Sequence, residues 1–202
     1  MKVLPIKSEQ TYPWILNKHY AKRIPHIMFA FGLYIDKELK GIVTFGMPAS
    51  HSLCFGVCGK EHQSKVLELN RLCLMDNNKN ESSYLVANAI KLLPKPSIII
   101  SYADSGKGHI GYVYQATNFL FTGTTKERTD MFAGEGKHSR HTKHTGKRQL
   151  RTAKHRYVYF HGSKTDKKIL LRSLNYKVLP YPKGDSKKYD SGGTVITQDV
   201  LF

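Results

Sequence analysis

Residues 97–123 read SIIISYADSGKGHIGYVYQATNFLFTG, and their order decides the fold class. The span 97–102 is a short apolar strand of the kind covered on both faces. Pro94 and Pro96 lie just before it and stop the preceding helix. A turn bearing Asp104, Gly106 and Gly108 leads into a helix predicted over 109–118, where Ile110, Val113, Tyr114 and Thr117 share one stripe. A further strand is predicted at 119–122. Strand, helix and strand in so short a span make an α/β unit.

Upstream, 66–74 reads as a strand, and strict alternation sets Leu67, Leu69, Arg71 and Cys73 on one face. Asn78 and Glu81 resemble a capping box for a helix over 81–93, with Leu85, Val86, Ala89, Ile90 and Leu93 at helical spacing. Residues 29–35 and 42–45 form a hairpin around a turn at 36–41, and 46–65 reads as loop with one weak strand. A short helix is predicted within 8–20. Downstream come a strand at 157–161, a basic helix at 166–174 and a Pro- and Gly-rich tail with a last strand at 194–197. The whole is an α/β layer architecture around a mixed sheet, expected as one domain over 1–202.

The chain has 202 residues, 32 Lys plus Arg against 15 Asp plus Glu, and a net charge of +17. Its hydrophobic content of 40% is enough to close a core, which excludes disorder throughout. No run approaches the ~18 apolar residues of a membrane span, and no signal-peptide core is present. Three cysteines are too few for a disulfide framework, so a reducing cytoplasm is the default compartment.

The charge is unevenly placed. Residues 126–156 carry ten Lys or Arg, three acids and four histidines. They read either as a solvated loop or as a nucleic-acid arm, because each cation set on a phosphate releases a counterion. Anionic membrane is the weaker option, since no amphipathic helix accompanies the charge. The DNA-contact candidates are Lys137, Arg140, Lys143, Lys147, Arg148, Arg151, Lys154 and Arg156.

The chemistry gathers at the carboxyl end of the buried strand, where open α/β sheets place ligands. Asp104 is the first charge after the apolar run, His109 falls near a helix start, and Tyr114 lies one turn on. Each also has a plain structural reading: a cap acid, a surface histidine, a core aromatic. Arg71 on an apolar face wants a structural ion pair or an anionic ligand. His19 and Tyr20 close the first helix.

The blocks NKHYAKRIPH, FAFGLYIDKELKGIVTFGMPAS, LELNRLCLMD, SYADSGKGHIGYVYQATNFLFTG and KHRYVYF together resemble the phage Mom family, over about residues 14–161. That resemblance implies a GNAT-like fold and an enzyme that converts adenine in DNA to an N6-carbamoylmethyl derivative, protecting phage DNA from host restriction. Double-stranded or locally unpaired DNA is then the partner, in the cytoplasm of an infected bacterium, and GNAT-like folds are compatible with a homodimer. The resemblance also implies an iron centre, and His19, Asp104 and Tyr114 offer an imidazole, a carboxylate and a phenolate that can jointly hold it. Tyr20, Arg71, Ser83, Asp104 and Tyr114 are the implied catalytic set. Asn80, Ser82 and Ser83 lie where an acyl-CoA cradle would be. The turn at 77–83 lacks the glycines of that cradle, which argues against acyl-CoA as donor. A base taken out of the helix needs an aromatic wall, and Phe29, Phe31 and Tyr34 are the hairpin candidates.

Two other classes fit parts of the sequence. A plain nucleic-acid-binding protein accounts for the charge alone. A conventional CoA-dependent N-acyltransferase on RNA or protein accounts for the fold alone. Metal storage by His138, His141 and His144 is a minor third.

Overall fold

A computed structural model of the chain describes residues 1–76, 78–132 and 146–184. Seven strands form one mixed sheet in the order β1-β2-β3-β4-β5-β9-β6. They are β1 (Lys2–Pro5), β2 (Phe29–Ile35), β3 (Glu38–Gly46), β4 (Val66–Leu74), β5 (Ser97–Asp104), β6 (Leu120–Thr124) and β9 (Lys154–His161). Only β4 and β5 run parallel; the other pairs in this sheet are antiparallel. Helices α1 (His51–Cys58), α2 (Glu81–Lys91), α3 (Tyr112–Ala116) and α4 (Lys164–Arg172) flank it. The mixed sheet flanked by helices is the architecture that the sequence predicts.

One face of the sheet carries Leu33, Val43, Phe45, Leu69 and Ile99 against Leu85, Val86, Ala89 and Ile90 of α2, with the Tyr114 and Phe119 rings beside them. The opposite face holds Val66, Ile98, Ile100, Val158 and Phe160 against Cys54, Val57 and Cys58 of α1 and Leu170 of α4. On that side too, Ile42 and Cys73 pack on Ile15 from the N-terminal helical turns.

Several boundaries differ from the sequence expectations. The hairpin turn is only Asp36-Lys37, both with positive φ, so β3 begins at Glu38. Such a two-residue turn matches the right-handed strand twist. Residues 46–65 contain α1 and a 3-10 turn at Lys60–Lys65 rather than a strand. The helix after β5 starts at Tyr112, because Gly111 takes φ 83° and the Tyr157 ring leaves no room for a Cβ there. The 3-10 turn Ser105–Lys107 fills the interval instead. Part of the basic stretch is ordered as a two-stranded ribbon, β7 (Arg128–Met131) against β8 (Arg148–Arg151). The strand predicted at 194–197 and the histidines His138, His141 and His144 lie outside the described residues.

The largest departure is in β4. Thr44 pairs with Arg71 but Phe45 pairs with Leu69, so Asn70 is an extra residue, a β-bulge. Leu67 and Leu69 face α2, and after the bulge Leu72 and Leu74 do so. Arg71 and Cys73 therefore lie on the other face, with Val66 and Glu68. The predicted shared face of Leu67, Leu69, Arg71 and Cys73 does not form, because one inserted residue inverts the alternation.

Candidate active site

The parallel pairing of β4 and β5 lasts only from Val66–Glu68 to Ile98–Ile100. Beyond it the two strands separate. At the fork the Ser101 hydroxyl donates to the Leu69 carbonyl at 3.0 Å, and the Tyr114 hydroxyl is hydrogen-bonded to Ser101. The gap opens into a cleft of about 990 Å³ that reaches both sides of the sheet. On the α2 side it is lined by Lys79, Asn80, Ser82, Tyr112 and Val113. On the other it meets His19, Tyr20, Glu68, Arg71, Tyr102 and Tyr176. Among the described lining residues, Arg23, Arg71, Lys79, Lys126, Arg128, Arg151 and Lys154 face a single carboxylate, Glu68. Such an imbalance in a concave wall focuses positive potential on an anionic ligand.

The two sequence blocks that bear histidine meet here. The His19 ring stacks on Tyr20 with centroids 4.5 Å apart, and Tyr20 meets His109 edge-on at 5.8 Å. The His109 amide bonds to the Asp104 carbonyl at 3.1 Å. Burial, then the charges of Arg71, His109 and Lys154, push the His19 imidazole down to about 3. His19 is therefore neutral at physiological pH. Its Nδ1 accepts the Ala21 N–H at 3.0 Å, which leaves the ring proton on Nε2. Burial, with Asp104 nearby, lifts the Tyr20 phenol to about 12, so it too is a neutral donor.

Arg71 is buried, and its partners are backbone carbonyls. Nε and Nη2 donate to Arg23 O at 3.1 and 2.7 Å, and Nη1 donates to Asn70 O at 2.5 Å. Arg71 thereby ties the segment after Tyr20 to β4. The bulge residue Asn70 adds a second tie, its amide donating to His26 O at 3.0 Å. A Cβ on Gly46 would collide with that same His26 carbonyl, so only glycine admits the segment here.

Glu68 escaped the sequence reading. Its signal is an acid between Leu67 and Leu69 on an otherwise apolar strand, a pattern that any solvent-facing strand residue also shows. Burial pushes its carboxyl up, against the pull of Arg71, Lys154 and Arg23 and a bond from the Ala49 amide. A carboxylate with raised basicity inside a cleft is suited to accept a proton.

Other predicted site residues serve the frame. Asp104 Oδ1 accepts the Gly106 N–H at 3.1 Å and the Thr152 hydroxyl at 2.5 Å, while Oδ2 pairs with Lys154 Nζ at 3.3 Å. It joins the end of β5 to the start of β9 and does not line the cleft. Tyr114 borders the cleft from the core, where it lies between Phe119 and Tyr157 with centroids 5.4 and 5.2 Å away. Burial raises its phenol above the ordinary tyrosine range. Ser83 donates to Asn80 O at 3.1 Å, off the cleft wall. Phe31 is buried and Phe29 packs against the core, and neither they nor Tyr34 line the cleft.

Of the basic candidates, Lys147 and Arg148 are exposed, and Arg151 pairs with Asp130 at 2.5 Å. Arg156 is committed inward: Nε and Nη2 donate to Thr122 at 3.0 and 2.8 Å, and its guanidinium lies 3.4 Å over the Tyr176 ring. Lys137, Arg140 and Lys143 lie outside the described residues.

The proposed iron ligands do not suit a metal. No group of three or more His, Cys, Asp or Glu among the described residues is arranged to hold one. Both Asp104 oxygens already have partners, the Tyr114 phenol is protonated and buried, and Arg71 and Lys154 repel a cation from His19.

The turn before α2 also revises an expectation. It has no glycine, yet Asn80 itself takes φ 68°, supplying the left-handed corner that a glycine would. The Asn80 side chain makes no cap bond, and Ser82 borders the cleft. The absence of glycine therefore does not count against a phosphate-bearing donor such as acyl-CoA.

Comparisons with known proteins bear on this site. A family model described as the Mom protein family matches residues 1–183. The methylcarbamoylase mom of Escherichia phage Mu is 28% identical over 190 residues, covering 84% of this chain and 78% of that protein. Among solved structures, Arabidopsis thaliana NAA60 in complex with acetyl-CoA is 13% identical, covering 79% of this chain and 97% of that one at a TM-score of 0.49. A GNAT-like decarboxylase, GphF, in complex with isobutyryl-CoA is 10% identical, with 79% and 99% covered at 0.45.

Proposed function

The chain belongs to the Mom protein family, and we propose that it is a phage DNA-modification transferase that places a carbamoylmethyl group on N6 of adenine, guarding the DNA against restriction. The observation that carries this reading is the cleft itself: a through-gap between β4 and β5 with seven Lys or Arg and one basic carboxylate on its described wall. Exposed cations such as Lys126 and Arg128 hold DNA phosphates and set affinity rather than base choice. The Mu relative carries methylcarbamoylase in its name, which fits the same chemistry.

The roles follow from protonation state. The N6 amine is a weak nucleophile because its lone pair is delocalised into the ring. Glu68 accepts its proton as the N6–carbon bond forms, and the bond from that carbon to the donor's leaving group breaks with its electron pair. His19 Nε2–H and the Tyr20 hydroxyl, both neutral donors, bond to the carbonyl oxygen of the transferred group. The donor enters on the α2 side, where the uncapped helix start suits phosphate. An acyl thioester would leave an N6-acyl adduct, so a carbamoylmethyl product needs its leaving group on the methylene carbon; a CoA titration of the purified protein tests whether a CoA derivative binds here. DNA enters from the Glu68 side, in the host cytoplasm.

The deciding experiment is mass analysis of nucleosides from DNA of cells expressing the protein. An adenine nucleoside heavier by one carbamoylmethyl group, absent from cells carrying Glu68→Gln, supports the reading. Unmodified adenine throughout, with the protein folded and abundant, sinks it.

A further inference from the structure

An adenine taken out of the stack needs a flat apolar wall beside the acid that takes its proton. On β5, Ile98, Ile100 and Tyr102 point to the face that Glu68 shares, while Ile99 and Ala103 point to the α2 face. Tyr102 lies half-buried on the cleft wall, with Glu68, Arg156 and Tyr176 close enough to act electrostatically on its hydroxyl. Tyr176, just beyond α4, lines the same wall and is also half-buried.

The Tyr176 ring is held in advance. Arg156 covers it at 3.4 Å and is itself fixed by two bonds to Thr122. Asn175 anchors the approach, its amide N–H on Val57 O at 2.9 Å and its side chain on Gly56 O at 3.1 Å. A prefixed aromatic loses little freedom when a base stacks on it. The guanidinium over the ring adds polarisable, cationic surface of the sort that nucleobases favour.

Accepting the DNA-modifying reading above, we propose that Tyr102 and the Arg156-backed Tyr176 form the acceptor-base subsite, in which the extruded adenine stacks with its exocyclic amine toward Glu68. Arg156 is then a positioning residue for Tyr176 rather than a phosphate clamp. The subsite lies across the sheet from the α2 mouth assigned to the donor, so the two substrates meet at the fork from opposite sides.

The test uses the full chain and a DNA that the wild type modifies. With 8-azidoadenine at the modified position, ultraviolet cross-linking is expected to label Tyr102 or Tyr176. Tyr176→Leu is expected to lower modification roughly tenfold or more, with Tyr176→Phe, which keeps the ring, losing less than Tyr176→Leu, and duplex affinity little changed, since phosphate contacts remain. Should Tyr176→Leu fail to fold, Tyr102→Leu takes the same readouts. Cross-links confined to other residues, or normal modification by the leucine variants, overturn the subsite while leaving the enzyme reading intact. A wild type that modifies no adenine in any DNA overturns both.

Discussion

Glu68 and Arg71 share one face of β4 although they are three residues apart, because Asn70 bulges out of register between them. Were β4 to alternate strictly through Asn70, the guanidinium would point at α2 and the core. The bulge thus places the single described carboxylate of the cleft beside a buried cation, and it sends Arg71 to hold the segment that carries His19 and Tyr20.

Deleting Asn70 makes Leu69 and Arg71 consecutive, so Arg71 keeps its present face while the bulge and the bonds to Thr44 and His26 are lost. Asn70→Gly keeps the bulge and loses the same bonds, so about 1–2 kcal/mol is expected in urea unfolding for each variant. A loss of about 3 kcal/mol or more on deletion alone would show Arg71 driven into the core as an unpaired buried charge.

Glu68→Gln should lower the single-turnover rate by about a hundredfold or more with DNA affinity retained. In the wild type the rate should rise with pH as Glu68 ionises, in a range above the ordinary glutamate value of 4.5, because burial raises this carboxyl. The acid limb should disappear in Glu68→Gln; a limb that persists unchanged removes Glu68 as the base.

His19 gives a stability signature. Its folded value is about 3 against 6.5 unfolded, so between those values the unfolded chain binds the proton and the folded one does not. Stability should fall as pH drops below 6.5, by up to about 1.4 kcal/mol per pH unit from this group. His19→Asn should flatten the slope between pH 6.5 and 5 in urea titrations. An unchanged slope would place a charged imidazole in the folded protein.

Asp104 distinguishes scaffolding from chemistry. Asp104→Asn can still accept from Gly106 and Thr152 but loses the Lys154 ion pair. Asp104→Ala loses all three. Adduct levels should therefore fall in the order wild type, Asn, Ala. Equal, complete loss in both would point to a carboxylate required for the reaction itself.

DNA affinity should fall steeply with salt, since phosphate contacts release counterions. Replacing the exposed cleft residues Lys126 and Arg128 with Gln should each lower the slope of log affinity against log salt by about 0.9, across all sequences. A slope insensitive to both would move the phosphate track elsewhere on the protein.

Much of the frame was legible from residue order. Apolar periodicity located β4, β5, α2 and β9, because segments that must bury one face display it at the period of their own geometry. The excess of Lys and Arg was plain from composition, and the blocks around His19 and Asp104 marked the family. Length and propensity misjudged 46–65 and 109–118, where α1 and the late start of α3 depend on Gly111 against Tyr157 and on packing from α4.

The sequence by itself determined that β4, β5, α2 and β9 form, and that positive charge dominates, since periodicity and composition are local properties of the chain. Which side chains share the cleft was decided only by tertiary structure. A one-residue bulge flipped Arg71 to the side of Glu68, the fork between β4 and β5 made the opening, and Tyr176 came to Tyr102 across more than seventy residues of chain. Facing and convergence depend on register and strand divergence, which are set by pairing between distant segments and leave no periodic trace in either one.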